Sequence, residues 1–303
     1  MAKKPPQGER IGFASRNETL EEARARNIRD ALAEDIGTCD WTGLLVPPGR
    51  RVRARVIARE AAVLCGREWF GGVMLALDAT ATLDWRVGEG AWTQPDSPVV
   101  FIEAYARALL AAERPALNFL QTLSATATAT RQHVDAVAGA SPLHNDGRGC
   151  AILDTRKTIP GLRQAQKYAV RVGGGQNQRL ALWHGILIKE NHIAAAGGIG
   201  PVLAAARDLD AGVEIQIEVE TLAQLEEALA AGARSVLLDN FTLESMRAAV
   251  TANRGRALLE VSGSVELAQL RDIAATGVDR ISIGRLTKDV KAVDFSLRVL
   301  GPA

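Results

Sequence analysis

The chain has 303 residues, of which 47% are hydrophobic and 23% are charged, so it can form a large core and a soluble surface. Its formal net charge of +1 argues against a general nucleic-acid or membrane partner, and no uncharged apolar run approaches the length of a membrane span. Cys39, Cys65 and Cys150 match no zinc or redox spacing, and the polar start lacks a signal-peptide core, which together predict a cytoplasmic protein.

The first third of the sequence predicts helices around a group of short strands. A helix is expected from Leu20 to Glu34, capped by Asn17 or Thr19. Alternating or apolar stretches broken by glycine and proline predict strands over residues 51–59, 62–65, 82–87 and 99–104. A recurring apolar face then predicts a helix from Arg114 to Ala138.

From residue 151 onward, short apolar runs alternate with helical patterns at the spacing of repeated βα units. The predicted strands cover residues 151–154, 185–189, 214–219, 235–238, 257–261 and 279–283. The predicted helices lie near residues 162–172, 201–209, 222–231, 243–252 and 266–275. Six clear strands and a suspected seventh favour an incomplete barrel over an open sheet.

Several of these strands alternate strictly between aliphatic and polar residues. In the strand 214–219, Ile215, Ile217 and Val219 share one face, while Gln216 and Glu218 share the other. We expect the aliphatic faces to lie under the helices and the polar faces to point into the barrel. The functional groups would then converge at the carboxyl ends of the strands.

Two adjacent cations, Arg156 and Lys157, follow the first of these strands, and Lys189 follows the second. Buried cations require anionic partners, so this end of the barrel is predicted to bind a ligand with several negative charges.

The residues at these positions also form an ordered set of motifs that resembles the quinolinate phosphoribosyltransferase family from about residue 20 to the C-terminus. The motifs are Glu34–Thr42, Glu113–Gln121, Asp154–Gly161, Gly173–Gly175, Leu187–His192, Leu238–Asn240, Ser262–Gly263 and Gly284–Lys288. The resemblance implies the α/β type II phosphoribosyltransferase fold. That fold has an N-terminal α/β sandwich, here residues 1–115 joined by the tail 289–303, and an incomplete seven-stranded α/β barrel, here residues 116–288.

The resemblance also implies an activity. Quinolinate reacts with phosphoribosyl pyrophosphate (PRPP) to give nicotinate mononucleotide, pyrophosphate and CO₂, in a homodimer or a larger assembly with shared active sites. Mg²⁺ is implied as the cofactor, held by Glu218 and Asp239 largely through the substrate.

By the same resemblance, Arg156, Arg179 and Lys189 bind the quinolinate carboxylates beside Thr155 and Gln178, and Arg114 comes from the neighbouring subunit. Lys157 is directed to the pyrophosphate, and Glu218 and Asp239 to the ribose, so that Lys157, Lys189, Glu218 and Asp239 form the implied catalytic set. The 5′-phosphate is assigned to Ser262, Gly263, Ser282 and Gly284.

The match departs from the family pattern at two positions. Gln178 stands where the family usually has histidine, and His184 where it tends to have aspartate. Glutamine can still donate a hydrogen bond but cannot become cationic, and His184 is interpreted as a structural residue. His192 is placed in a loop after Lys189.

Three other readings stay open at this point. A barrel aldolase would use Lys189 as a Schiff-base lysine but would not need the surrounding arginines and carboxylates. A related transferase could act on another pyridine carboxylate such as nicotinate. A paralogue could have lost activity and kept an accessory role, although the retained charged residues argue against this.

Overall fold

The computed structural model describes residues 16–141 and 149–303, which form two compact units. Unit 1 contains residues 132–156 and 175–284, and unit 2 contains residues 18–131, 157–174 and 285–303. The domain boundary predicted between residues 115 and 116 falls inside a continuous helix, Ala106–Val137, and the two predicted domain ranges stay predictions.

Unit 2 is built on an antiparallel sheet with the strand order β10-β1-β3-β2 among the described residues. Its strands are β1 (Arg51–Ala58), β2 (Thr82–Trp85), β3 (Pro98–Tyr105) and β10 (Phe295–Pro302). Its helices are α1 (Leu20–Ile36), α2 (Arg67–Leu77), α3 (Ala106–Val137, whose last turn belongs to unit 1), α4 (Arg163–Val172) and α10 (Arg285–Lys288). The C-terminal strand therefore completes the sheet that β1 begins.

Local sequence signals account for much of this unit. Thr19 caps α1 through a capping box with Glu22, as predicted for one of the two candidate caps. In β1, Val52, Ala54, Val56 and Ala58 are buried in alternation, as a half-buried strand requires. Helix α3 begins at Ala106, eight residues before the predicted start, and contains Pro115.

The strand predicted over residues 62–65 is wrong, and the helix that follows it was not predicted. Among the described residues, only Val63 forms a bridge there, to Trp92. Gly66 then turns the chain with φ +104°, and α2 begins at Arg67. Trp69, Phe70 and Val73 of α2 are fully buried, so tertiary packing rather than a strong amphipathic pattern stabilises this helix.

Unit 1 contains a parallel sheet with the order β4-β9-β8-β7-β6-β5 in the described part of the chain. The strands are β4 (Ala151–Leu153), β5 (Gly185–Ile188), β6 (Glu214–Val219), β7 (Ser235–Asp239), β8 (Leu258–Ser262) and β9 (Arg280–Ser282). The helices are α5 (Glu190–Ala196), α6 (Ile199–Asp208), α7 (Leu222–Ala230), α8 (Leu243–Asn253) and α9 (Leu270–Ala274). All six clear strand predictions are confirmed. A parallel bridge between Leu153 and Gln176 adds a one-residue seventh position beside β4.

The predicted division into aliphatic and polar strand faces is confirmed. Gln216, Glu260 and Ser282 are buried although they are polar, and Gln216 donates a hydrogen bond to Glu260 across the interior (2.9 Å). Ile217 and Val219, on the other face of β6, are also buried. The loop predicted around His192 is wrong, because α5 begins directly after Lys189. Within residues 16–141 and 149–303, no helix is both long and apolar enough to cross a membrane.

Candidate active site

The carboxyl ends of the parallel strands carry most of the predicted site residues. Glu218 is the penultimate residue of β6, and Asp239, Ser262 and Ser282 end β7, β8 and β9. Lys189 directly follows β5, and Thr155 and Arg156 follow β4 after one intervening residue. Because these strands are parallel neighbours, the structure brings the residues to one edge of the sheet, hereafter the mouth.

An ion pair joins two of the predicted catalytic residues at the mouth. The Lys189 ammonium nitrogen lies 3.0 and 3.3 Å from the two carboxylate oxygens of Glu218. The Glu218 side chain is only 10% exposed, whereas Lys189 is about half exposed, so the ammonium group remains open to a ligand. Because the Lys189 end of the pair is in contact with solvent, the pair contributes little to stability, about 0–1 kcal/mol, and its effect is to hold the ammonium group in place.

Two guanidinium groups form the cationic part of the site. Burial and the nearby positive charge of Arg156 lower the pKa of Arg179. Arg179 still keeps its proton near neutral pH, so two like charges persist in a partly buried place. Arg179 also donates a hydrogen bond from Nη1 to the carbonyl oxygen of Gly185 (3.1 Å), which directs its side chain toward the start of β5. Two partly buried guanidinium groups are suited to binding an anionic ligand.

Asp154 holds the loop that carries Gln178 and Arg179. Its fully buried carboxylate accepts hydrogen bonds from the Gln178 backbone N–H (3.0 Å) and from Asn177 Nδ2 (2.6 Å). The sequence predicted no separate role for Asp154, which stood only within the motif Asp154–Gly161. The available signal was a lone acid between Leu153 and Thr155 at the end of a buried strand.

Asn240 is a second residue that the site assignment missed. Its backbone has a positive φ of +55°, its N–H donates to the Ser262 carbonyl, and its side chain donates to Asp239 Oδ2 (2.8 Å). A Cβ at Gly263, where φ is +147°, would lie 3.0 Å from Asn240 Oδ1. Glycine therefore lets the β8 turn approach the Asp239–Asn240 turn closely.

The remaining predicted residues occupy different places. Ser282 is only 3% exposed and its hydroxyl donates to the Val261 carbonyl, so it forms part of the interior wall. Gly284 directly precedes α10 in the sequence. Arg114 is exposed on α3, and Lys157 is exposed with its carbonyl accepting from Thr287 Oγ1; both belong to unit 2. Their predicted roles stay predictions.

A cavity of about 510 Å³ reaches from the starts of β5, β6 and β9 to Leu153 at the end of β4. It is lined by residues at the starts of β5, β6 and β9, namely Gly185, Glu214 and Arg280, and by Gln178 and Arg179. Thr155, Arg156, Lys189, Glu218 and Asp239 are not among its described lining residues. The cavity therefore reaches the predicted site only at Gln178 and Arg179. His184, also on its wall, is exposed and packs edge-on against Trp183 (5.5 Å).

The donor set at the mouth limits how a metal ion could be bound. Within the described residues, no group of three or more His, Cys, Asp or Glu side chains could hold a metal ion. Glu218 and Asp239 nevertheless end neighbouring strands and supply carboxylate oxygens. Two carboxylates fit Mg²⁺, which is usually bound through one or two protein carboxylates together with water and substrate phosphate.

Comparison with known families gives two matches that together cover most of the chain. Residues 38–124 match the N-terminal domain model of quinolinate phosphoribosyl transferase, and residues 126–298 match the C-terminal domain model.

Individual relatives agree with the family models. Nicotinate-nucleotide pyrophosphorylase [carboxylating] of Mycobacterium leprae is 40% identical over 286 residues, which is 91% of this chain and 97% of that protein. The probable enzyme of the same name from Bacillus subtilis is 37% identical, covering 88% and 90%. The solved nicotinate-nucleotide pyrophosphorylase of Francisella tularensis superposes with a TM-score of 0.87 at 41% identity, covering 94% of this chain and 98% of that one.

Proposed function

The chain belongs to the quinolinate phosphoribosyltransferase family, and we propose the roles that its residues take in the family's reaction. The enzyme transfers the phosphoribosyl group of PRPP to quinolinate, with loss of CO₂, to give nicotinate mononucleotide for NAD biosynthesis. Its fold is the type II phosphoribosyltransferase fold that the sequence predicted.

Arg156, Arg179 and Lys189 bind the two adjacent carboxylates of quinolinate in this proposal. The observation that carries it is the position of Arg156 and Lys189 just beyond β4 and β5 at the mouth, with Arg179 near enough to Arg156 for their charges to interact. Charge-assisted hydrogen bonds from such groups contribute about 1.5–3 kcal/mol each. Gln178 donates one further hydrogen bond to a carboxylate, and Thr155 precedes Arg156 in the segment after β4.

PRPP occupies the mouth beyond quinolinate. Glu218 and Asp239 face the ribose hydroxyls, and the turns at Ser262–Gly263 and Gly284 bind the 5′-phosphate with backbone N–H groups. Ser282, whose hydroxyl is directed to Val261, contributes through its backbone. Lys157 is directed to the pyrophosphate. The cytoplasmic location stays a prediction.

Mg²⁺ fits this arrangement as a cofactor held by Glu218, Asp239 and the phosphates of PRPP. When bound, it would supply positive charge to the leaving pyrophosphate. The Glu218 carboxylate has a second effect that does not require Mg²⁺, because its ion pair keeps Lys189 in place.

The reaction itself needs little acid–base chemistry from the protein. The pyridine nitrogen forms a bond to C1′ of the ribose while the bond from C1′ to the pyrophosphate oxygen breaks. The Glu218 carboxylate stabilises the positive charge that develops at the ribosyl centre. CO₂ then leaves from C2, and the electron pair left there is stabilised by the adjacent pyridinium nitrogen until it takes up a proton. The enzyme mainly contributes orientation and charge neutralisation.

A comparison of quinolinate with nicotinate tests the proposed carboxylate site. Nicotinate lacks the C2 carboxylate, so one of the cations that the bound ligand covers would lose its partner, at a loss of about 3–5 kcal/mol by analogy with breaking a buried ion pair. We expect kcat/KM for quinolinate to exceed that for nicotinate by about a hundredfold or more. Phthalate keeps both carboxylates but lacks the nucleophilic nitrogen, so it should inhibit competitively without reacting.

Variants make the test specific to the site. Arg179→Lys keeps the charge but loses the planar fork, and it should raise KM for quinolinate about tenfold. Arg247→Lys, on the exposed face of α8, serves as the matched control and should behave like the original enzyme. Turnover of nicotinate within tenfold of quinolinate would overturn the assignment.

A further inference from the structure

Three polar side chains from separate parts of unit 1 form a continuous hydrogen-bonded chain through the barrel interior. Gln178 Nε2 donates to Gln216 Oε1 (2.7 Å), and Gln216 Nε2 donates to Glu260 Oε2 (2.9 Å). Gln216 and Glu260 are 3% and 1% exposed, and they lie on the inward faces of β6 and β8. This hydrogen-bonded chain therefore runs from the predicted quinolinate site into the core of the barrel.

This hydrogen-bonded chain defines the orientation of the Gln178 amide. Its Oε1 accepts the Arg179 backbone N–H (2.6 Å), while its Nε2 donates to Gln216. Turning the amide over would place a donor against the Arg179 N–H and an acceptor against Gln216 Oε1. Gln216 is fixed in the same way, because its own nitrogen needs the acceptor that Glu260 provides.

Glu260, at the inner end of the hydrogen-bonded chain, is in an unfavourable place for a carboxyl group. Glu260 Oε1 is buried and makes no hydrogen bond within the part of the chain that the structure describes. Burial raises the pKa of Glu260, and the interactions with Gln216, Ser282 and Arg280 oppose that rise only in part. Burying a carboxyl group with one oxygen unsatisfied costs free energy, and the hydrogen bond that it accepts from Gln216 gives it an orienting role.

We propose that Gln216 and Glu260 are positioning residues that orient the Gln178 amide toward a carboxylate of quinolinate and thereby set the affinity for the dicarboxylate. The inference rests on the proposed function, which places Gln178 in the quinolinate site. It assigns no part in PRPP binding to either residue, because the side-chain hydrogen bonds of Gln216 join Gln178 and Glu260 and include neither Glu218 nor Asp239.

A double-mutant cycle between Gln178 and Gln216 tests this directly. The readouts are the inhibition constant of phthalate, which reports binding without turnover, and KM for each substrate. Gln216→Met keeps the size of the side chain but removes both hydrogen bonds. We expect it to weaken phthalate and raise KM for quinolinate about tenfold, with KM for PRPP changed less than about twofold. In a Gln178→Ala background, Gln216→Met should have almost no further effect on phthalate.

A second experiment uses two variants of Glu260, one expected to weaken phthalate binding and one expected to restore it. Glu260→Leu leaves the Gln216 amide without an acceptor and should weaken phthalate about as much as Gln216→Met does. Glu260→Gln keeps a carbonyl oxygen at that place and should recover most of the lost affinity. Thermal unfolding of each variant identifies any loss of folding, and if Glu260→Leu does not fold, the Gln216 cycle and Glu260→Gln still decide the question.

The outcomes separate this inference from the proposed function. If Gln178→Ala leaves phthalate and quinolinate unaffected, the assignment of Gln178 to the carboxylate site is wrong and the inference falls with it. If Gln178→Ala weakens both but Gln216→Met does not, only the positioning role is overturned. Equal changes in the KM values of both substrates, or full additivity in the cycle, would indicate a general structural role and would also overturn it.

Discussion

The Asp78 carboxylate shows how local hydrogen bonds determine the pKa of a buried acid and its contribution to stability. Asp78 follows α2, and its Oδ1 accepts hydrogen bonds from the backbone N–H and the hydroxyl of Thr80. Its Oδ2 accepts the Tyr105 backbone N–H (2.8 Å). Burial alone would raise the pKa of Asp78, but these hydrogen bonds and the charge of Arg51 hold the pKa below its usual value. The ionised form of Asp78 therefore stabilises the fold.

We expect Asp78→Asn to lower the free energy of unfolding by about 1–3 kcal/mol at pH 7, because the asparagine NH₂ would face the Tyr105 N–H. A lowered folded-state pKa means that the stabilisation is present above the unfolded pKa of about 3.9 and is lost as the pH falls through the folded value. The difference between the two proteins should therefore shrink below about pH 4. Urea unfolding at several pH values measures it, with exposed Asp84→Asn as the control. A difference that does not depend on pH would contradict the role of the ionised carboxylate.

At the scale of whole elements, α2 depends on a residue from outside the helix. Its N-cap, Gly66, has no side chain to satisfy the first N–H groups. Glu89 takes that role, with its carboxylate accepting from the N–H groups of Gly66 (2.8 Å) and Arg67 (3.2 Å), and also from the Tyr168 hydroxyl (3.0 Å). A carboxylate at a helix N-terminus also interacts favourably with the helix dipole. Glu89 thus links α2 to α4.

Glu89→Ala should destabilise the protein by about 1–3 kcal/mol, because two backbone donors and a hydroxyl lose their charged acceptor. Glu227→Ala, which removes an exposed carboxylate from α7, should change stability by less than about 0.5 kcal/mol. Denaturant unfolding of the three proteins checks both values. Equal stabilities of Glu89→Ala and Glu227→Ala would show that Glu89 does not anchor α2.

At the scale of the whole molecule, we propose a homodimer in which Arg114 of one subunit completes the site of the other. Arg114 is exposed on α3, whereas the other proposed quinolinate ligands belong to unit 1. A hybrid of Arg114→Ala and Lys189→Ala subunits would then contain one site without either lesion. Mixing these two inactive proteins should restore part of the activity, up to about half per hybrid dimer, as measured by pyrophosphate release.

A matched mixture shows whether that recovery depends on sharing Arg114 between subunits. Lys189→Ala with Glu218→Ala should stay inactive, because both residues belong to unit 1 of the same subunit and each hybrid site keeps one lesion. Purifying the hybrids through two different affinity tags shows that the subunits exchange. Recovery in both mixtures, or in neither once exchange is shown, contradicts the shared site.

The sequence by itself determined the features that depend on local pattern. Period-two alternation predicted β1, short apolar runs at the spacing of βα units predicted the strands β4 to β9, and Thr19, one of two candidate caps, predicted the start of α1. The position of polar residues at strand ends predicted the mouth, because parallel strands carry their carboxyl ends to one edge. The ordered motifs then identified the family, which the comparisons confirmed.

Tertiary structure alone decided the features that depend on residues far apart in the chain. Helix α2 forms in a stretch for which the sequence predicted no element, because its apolar residues pack into the core of unit 2 and Glu89 accepts from the N–H groups of Gly66 and Arg67 at its start. The contacts of Gln178 with Gln216 and of Gln216 with Glu260 span 38 and 44 residues. Alternation predicted that Gln216 and Glu260 point inward. Which inward side chains contact each other depends on the stagger of the strands around the barrel. That stagger is fixed by the register of the whole sheet, which no local stretch of sequence contains.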